Sequence, residues 1–105
     1  MKQTVSQEPP GRQPWTFLSN HAHVLICLAT DGDCRVRDLA ARVGITERAT
    51  QRILADLEAA GYLTRERHGR RTHHRLVLDQ PMRHPVEQGH AVRDLVEALA
   101  AVPTG

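Results

Sequence analysis

The stretch that most constrains the fold is residues 36–61, VRDLAARVGITERATQRILADLEAAG, which has the pattern of two short helices joined by a tight turn. Apolar residues recur at helical spacing on both sides of Gly44, a turn residue, and Ile45, which can plug the space between the helices. Thr46 can cap the second helix, because its hydroxyl can accept a backbone N–H that the first turn leaves free. Gly61 suits a left-handed helix ending. The stretch therefore predicts a helix-turn-helix.

The second helix of this motif turns a polar face away from its apolar stripe. At about 100° per residue, the side chains opposite Ile53 and Leu57 near the helix start include two arginines and a glutamine. Guanidinium forks and amides match the hydrogen-bonding edges of guanine and adenine in the major groove. A solvated helix surface has the same pattern, so this face alone leaves both interpretations open. The candidate DNA-binding residues on this helix are Thr46, Glu47, Arg48, Gln51 and Arg52.

A basic hairpin follows the motif. Residues 62–68 (YLTRERH) and 73–78 (HHRLVL) predict two strands around the turn 69–72 (GRRT), with leucines toward the core and arginines toward water. Residues 64–75 hold five arginines against one glutamate, whereas the rest of the chain has nine basic and eleven acidic residues. Such single-sign charge is typical of a phosphate-binding surface, although charge also protects an edge hairpin from aggregation. The candidate DNA contacts here are Arg65, Arg67, Arg70, Arg71 and His73, with Arg70 and Arg71 at the tip.

This order of helix, turn, helix and basic hairpin resembles the winged helix-turn-helix transcription regulators of bacteria, of the MarR-like and ArsR-like kind. The resemblance is carried by LAARVGIT, by the long helix ending LADLEAAGYLTRE and by the arginine-rich GRRTHHRL, and it covers residues 18–80. Thr50 is a departure, since such proteins often have a buried Val or Ile there; a hydroxyl bonded back to a helix carbonyl would make it tolerable. The resemblance implies a winged helix-turn-helix, mainly α with a small β hairpin, in the order α-β-α-α-β-β-α, that binds double-stranded DNA.

Three further elements complete the predicted fold. Residues 19–30 (SNHAHVLICLAT) predict the first helix, capped by Ser19 or Asn20, and residues 34–36 predict a short strand beside the hairpin. A last amphipathic helix is expected over residues 86–102. We therefore expect a flexible N-terminal arm at 1–14, a winged helix-turn-helix DNA-binding domain at 15–80, and a connector with a C-terminal dimerisation helix at 81–105.

The predicted C-terminal helix also carries a prediction about assembly. One recognition helix covers little DNA, and helix-turn-helix proteins commonly double it by two-fold symmetry. A chain of 105 residues with 3% aromatic residues has a modest core, which favours pairing. Packing within one chain would use part of the same apolar stripe. The expected homodimer interface comprises Trp15, Phe17, Val92, Leu95, Val96, Leu99 and Val102.

Seven histidines and two cysteines raise the question of a metal site, because some ArsR-like regulators sense metal. The spacing argues against one, since the sequence has no Cys-x-x-Cys, Cys-x-Cys or His-x-x-x-His. His73 and His74 are adjacent in a strand and therefore face opposite ways. We expect no metal and no cofactor. Cys27 fits a small core residue and Cys34 a strand residue, with a thiol switch at Cys34 as the alternative.

No sequence motif points to catalysis. The chain has no phosphate-binding loop, no nucleophile elbow and no evident pair of carboxylates, so we expect that it is not an enzyme. It also has no apolar run for a membrane span or a signal peptide, so we expect a cytoplasmic protein without a membrane partner.

The sequence therefore predicts a sequence-specific DNA-binding transcription regulator. The recognition helix would enter the major groove, and the basic wing would contact the backbone or the minor groove. Two alternatives use the same residues. One is a winged-helix module that binds an acidic protein partner, and the other is a sensor that releases DNA on binding a metal, a thiol oxidant or a small molecule.

Overall fold

The computed structural model describes residues 14–100, which form four α-helices, one short 3-10 helix and one antiparallel hairpin. This mainly helical arrangement with a small hairpin confirms the predicted winged helix-turn-helix fold. Among these residues, no helix combines the length and the apolar character needed to cross a membrane. The elements are α1 (Asn20–Thr30), α2 (Val36–Val43), α3 (Glu47–Ala59), β1 (Leu63–His68), β2 (Arg71–Leu76), the 3-10 helix (Pro85–Glu87) and α4 (Val92–Leu99).

The starts of α1 and α3 follow from hydroxyl caps at the predicted positions. Ser19 Oγ accepts a hydrogen bond from the backbone N–H of Ala22 at 3.2 Å, and Thr46 Oγ1 accepts one from Ala49 at 3.0 Å. Each bond satisfies a donor that the first turn of a helix leaves without an intrahelical partner. By contrast, the N-cap of α2 is Arg35, and no side chain caps that helix.

The end of α3 is set by Gly61, as the sequence predicts. Gly61 has a φ of 86°, which lies in the left-handed region that favours glycine. The N–H of Tyr62 donates to Leu57 O at 2.8 Å, and the N–H of Gly61 donates to Glu58 O at 3.1 Å. This double closure is a Schellman motif, and it turns the chain directly from α3 into β1.

The core lies between α1, α2 and α3 and is completed by the hairpin and α4. Leu39, Val24 and Thr50 are fully buried, and Thr50 Oγ1 donates to Thr46 O at 2.9 Å. That bond confirms how the helix tolerates a buried threonine. Burying each leucine stabilises the fold by about 1.5–3 kcal/mol of transfer free energy. The buried apolar residues are Val24, Leu25, Leu28, Leu39, Val43, Ile53, Leu54, Leu57, Tyr62, Leu63 and Val92.

The short strand expected at residues 34–36 is not formed in the described part of the chain. Val36 begins α2, because its spacing to Leu39 lets both pack against the core from one helix face. A single backbone hydrogen bond, from His74 N to Gly32 O at 2.9 Å, joins the α1–α2 turn to β2. Glycine permits this approach, since a Cβ at Gly32 would lie 2.6 Å from the carbonyl oxygen of His74.

The hairpin turn has two residues, so the expected four-residue turn is wrong. His68 pairs with Arg71, which leaves Gly69 and Arg70 in the turn. Gly69 has a φ of 66°, and no non-glycine residue in the described part of the chain has a positive φ. A glycine first in a two-residue turn fits type II′, whose twist matches that of the flanking strands. Arg70 is therefore at the tip, while Arg71 is the first residue of β2.

The C-terminal helix begins at Val92, six residues later than expected. The intervening segment is a 3-10 turn with a capping box between His84 and Glu87, followed by Gly89 at a φ of 89°. Neither feature is compatible with a continuous α-helix. The first N–H groups of α4 reach carbonyls after the hairpin: Val92 N donates to Gln80 O at 3.0 Å. This contact docks α4 onto the end of the winged helix.

Candidate nucleic-acid interface

The outward face of α3 presents the predicted base-reading side chains to solvent. Arg48, Gln51 and Arg52 are exposed, as are Thr46 and Glu47. On the opposite side Ile53, Leu54 and Leu57 are buried, which fixes the rotation of the helix. Within residues 14–100, neither Arg48 nor Arg52 forms an ion pair. Their guanidinium groups are therefore available to acceptors outside the chain.

The N-terminus of α3 adds a favourable environment for an anion. The aligned peptide dipoles and free N–H groups of a first helical turn attract negative charge. Thr46 is exposed, but its hydroxyl oxygen already accepts the N–H of Ala49. The hydroxyl hydrogen of Thr46 can still donate to a phosphate oxygen.

The five arginines of the hairpin divide into paired and unpaired groups. Arg65 Nη2 lies 3.0 Å from Glu58 Oε1, and Arg75 Nη2 lies 3.4 Å from a Glu66 carboxylate oxygen. Arg67 and Arg70 are exposed and have no ion-pair partner among residues 14–100. The uncompensated positive charge is therefore concentrated toward the outer end of the hairpin.

Two residues at the outer end of the hairpin hold it to the α1–α2 turn. Arg71 Nη2 donates to the carbonyl oxygen of Asp33 at 3.3 Å. His73 Nδ1 lies 2.8 Å from Asp33 Oδ1, and its ring stacks on His68 with centroids 5.7 Å apart. The hydrogen bond from His73 lowers the pKa of Asp33 below its ordinary value. DNA contact by His73 stays a prediction, since its ring has this intramolecular partner.

The helix face and the hairpin meet in a shared recess of about 310 Å³. Gln51 lines it from α3, and Arg65 lines it from β1. Base-reading and wing residues thus belong to one continuous surface. The ion pair between Arg65 and Glu58 also joins β1 to α3 beside this recess.

His74 is a feature of this site that sequence reasoning missed. Its side chain is 7% exposed, and its Nδ1 has no hydrogen-bond partner in the described part of the chain. Its Nε2 lies 4.0 Å from Glu58 Oε2. Burial lowers the pKa of His74 below its ordinary value. The signal was present in the period-two pattern, because His74 shares a strand face with Leu76 and pairs with Arg65.

The predicted dimer residues fall into three groups. Trp15, Phe17 and Leu99 are 68%, 91% and 50% exposed, and the Trp15 and Phe17 rings contact edge to face at 5.0 Å. Val92 is 1% exposed and belongs to the core of its own chain. Leu95 and Val96 are half-buried, and Val102 lies outside the described residues.

No metal site emerges from the side-chain arrangement that the structure describes. Among residues 14–100, no three His, Cys, Asp or Glu residues come together in a way that could hold a metal ion. Cys27 and Cys34 are free and half-buried, with Cys27 packed against the core. Burial, with Asp31 nearby, raises the pKa of Cys34, which keeps its thiol protonated and less reactive.

Comparison with known proteins identifies a family. A family model described as the MarR family matches residues 16–72, more than half of the chain. The matched region runs from the segment before α1 into β2 and includes the whole helix-turn-helix. No significant match is found among curated proteins or among solved structures.

Proposed function

Because the chain belongs to the MarR family, whose members are regulators rather than enzymes, we propose that it is a sequence-specific DNA-binding transcription regulator. The observation that carries the proposal is the joint placement of the α3 face and the hairpin. Exposed Arg48, Gln51 and Arg52 lie on a helix anchored by its apolar side, and a positively charged hairpin flanks that helix. This combination suits a duplex, which offers base edges in a groove and phosphates on both sides of it.

In the proposed complex, the first turns of α3 enter the major groove. Arg48 and Arg52 would donate paired hydrogen bonds to guanine O6 and N7, and Gln51 would pair with adenine N6 and N7. Thr46 and the N-terminus of α3 would hold a phosphate, which sets the depth and the angle of the helix.

The hairpin would act on the flanking backbone or minor groove. Arg67 and Arg70 are the best placed of the predicted wing contacts, because no carboxylate among residues 14–100 neutralises them. Arg71 and His73 lie beside them and are tied to Asp33. Arg65, bound to Glu58, would serve mainly to hold the wing against α3.

We also propose that the protein binds DNA as a homodimer. Trp15, Phe17 and Leu99 leave apolar area in water, which a soluble domain tends to cover. Phe17 and Leu95 line a mostly apolar recess of about 290 Å³ on the same side of the fold. Since Val92 is covered by its own chain, the proposed contact relies on the aromatic pair, Leu95 and Leu99, with Val96 behind them.

The direct test is a selection of bound genomic fragments by the purified protein, followed by gel shifts with unlabelled competitor. We expect one enriched, partly palindromic sequence that outcompetes bulk DNA by about 10³-fold or more. Binding to all fragments alike would contradict sequence-specific regulation. Failure to bind any DNA at low salt would refute the proposal and favour a protein-interaction role for the same face.

A further inference from the structure

A second, basic recess adjoins the first, where the wing meets the start of α2, and the two recesses share Val36, Thr72 and His74. It has a volume of about 430 Å³ and opens to solvent. Three arginines line it, one from the N-cap of α2 and two from the hairpin, against one carboxylate. The polar lining residues are Arg35, Arg70, Arg71, Asp33, Thr72 and His74.

The single carboxylate does not balance this charge. Asp33 Oδ1 is hydrogen-bonded to His73 Nδ1 at 2.8 Å and not to any of the three arginines. Arg71 is bound to the backbone carbonyl of Asp33, which carries no net charge. Arg35 and Arg70 have no ion-pair partner within residues 14–100. The recess is therefore strongly positive and has unused guanidinium donors.

The start of α2 contributes further donors. Its N-cap is Arg35, whose side chain cannot accept a hydrogen bond, so no side chain caps the first turn. The N–H groups of Val36, Arg37 and Asp38 precede the first intrahelical bond, which runs from Leu39 N to Arg35 O at 2.8 Å. In α1 and α3, by contrast, the hydroxyl of the N-cap residue accepts one of the free N–H groups of the first turn. An anion would supply the missing acceptor.

A buried polar group that lines both recesses adds an observation independent of the helix end. His74 lines the recess, its side chain is 7% exposed, and its Nδ1 is without a hydrogen-bond partner in the described residues. A buried nitrogen that lacks a partner costs free energy unless something outside the chain satisfies it. The hydroxyl of Thr72 is a further donor beside it.

We propose that this recess binds a phosphate group, held by Arg35, Arg70, Arg71 and the N-terminus of α2. Planar guanidinium forks and free backbone N–H groups are the donors that phosphate oxygens prefer. The phosphate can belong to a DNA strand beside the wing or to a small phosphorylated ligand. The first source rests on the proposed function; the second does not.

The test compares Arg35 with a neighbouring arginine that does not line the recess, which distinguishes a local phosphate contact from general positive charge. We would measure the salt dependence of binding to a short DNA duplex of arbitrary sequence for Arg35→Gln and for the control Arg37→Gln. Arg37 is exposed on the same first turn and does not line the recess. Loss of one phosphate contact should lower the magnitude of the log–log salt slope by about 0.9. Between 50 and 200 mM salt, the wild type should therefore lose about 3.5-fold more affinity than Arg35→Gln does. The control should retain nearly the full slope.

Arg35→Gln should fold like the wild type, because the Arg35 side chain provides no capping bond. Arg35→Lys keeps the charge and should keep most of the slope while losing the two-pronged geometry. In parallel, the amide NMR signals of Val36, Arg37 and Asp38 should shift on addition of the duplex. A saturable shift with inorganic phosphate alone, absent in Arg35→Gln, would show that the recess binds a phosphate that is not part of a DNA strand, whereas a shift with the duplex alone would assign the phosphate to DNA.

Two results would overturn the phosphate site. One is an equal loss of slope in Arg35→Gln and Arg37→Gln, which means diffuse charge rather than a recess. The other is the absence of any amide shift at α2 with both duplex and inorganic phosphate. If the wild type binds no DNA at all, the proposed function fails, and the phosphate titration alone decides the recess.

Discussion

The charge available on the wing leads to a quantitative prediction for the double substitution Arg70→Ala with Arg71→Ala. Of the five wing arginines, Arg65 and Arg75 are paired with glutamates, so the outer end supplies most of the phosphate contacts. Arg70 is at the tip, and Arg71 begins β2 beside it. The double variant therefore removes two contacts from each protomer while leaving the base-reading face of α3 unchanged.

The expected size of the effect follows from counterion release. Each lost phosphate contact lowers the log–log salt slope by about 0.9, so two contacts lower it by about 1.8 per protomer. Between 50 and 200 mM salt, the wild type should lose about 12-fold more affinity per protomer than the variant does. Because phosphates carry no base identity, the ranking of DNA sequences should stay the same.

The assay is fluorescence anisotropy of a labelled duplex over a series of salt concentrations. A matched control is Arg83→Ala with Arg93→Ala, which removes the same charge from the C-terminal segment, where Arg93 is bound to Asp79 at 2.7 Å. The control should leave the slope nearly unchanged. A wild-type slope in the wing variant would mean that the hairpin tip does not touch DNA. An altered sequence ranking would mean that it reads bases.

Three further expectations concern the recognition helix, the dimer and the buried histidine. Arg48→Ala and Gln51→Ala should each reduce discrimination between operator variants by about 1–3 kcal/mol while leaving binding to bulk DNA almost unchanged; an unaltered ranking in a binding selection would refute the assignment. Leu95→Asp with Leu99→Asp should give a folded monomer with much weaker operator binding in sedimentation and gel shifts, because it places unpaired charge in the proposed contact; a wild type that sediments as a monomer at micromolar concentration would rule out the dimer. Burial holds the pKa of His74 below its ordinary 6.5, so protonation of this residue costs no stability above that value but destabilises the fold as the pH falls below it and toward the folded-state pKa. His74→Phe should therefore lose less thermal stability than the wild type between neutral pH and about pH 5, and equal losses would contradict this reasoning.

The sequence by itself determined the elements whose signals are local. Helix α3 begins after Thr46 and ends before Gly61, as hydroxyl capping and left-handed closure predict. Both signals are local, because each depends on neighbours within about one helical turn. The spacing of apolar residues fixed which face of α3 is buried, and hence which side chains stay in water. Even the buried Thr50 followed from local chemistry, since its acceptor is four residues away.

Tertiary structure alone decided how the arginines and histidines of the hairpin are used. Glu58 lies seven residues before Arg65, and Asp33 lies forty before His73, so neither partner could be chosen from spacing. The hairpin turn and the start of α4 also moved from their expected positions, because long-range pairing and docking compete with local signals there. The physical reason is that several acceptors can compete for each cation, and only the packing of α2, α3 and the hairpin selects among them. For the same reason the recess around Arg35, Arg70 and Arg71 has no signature in the sequence.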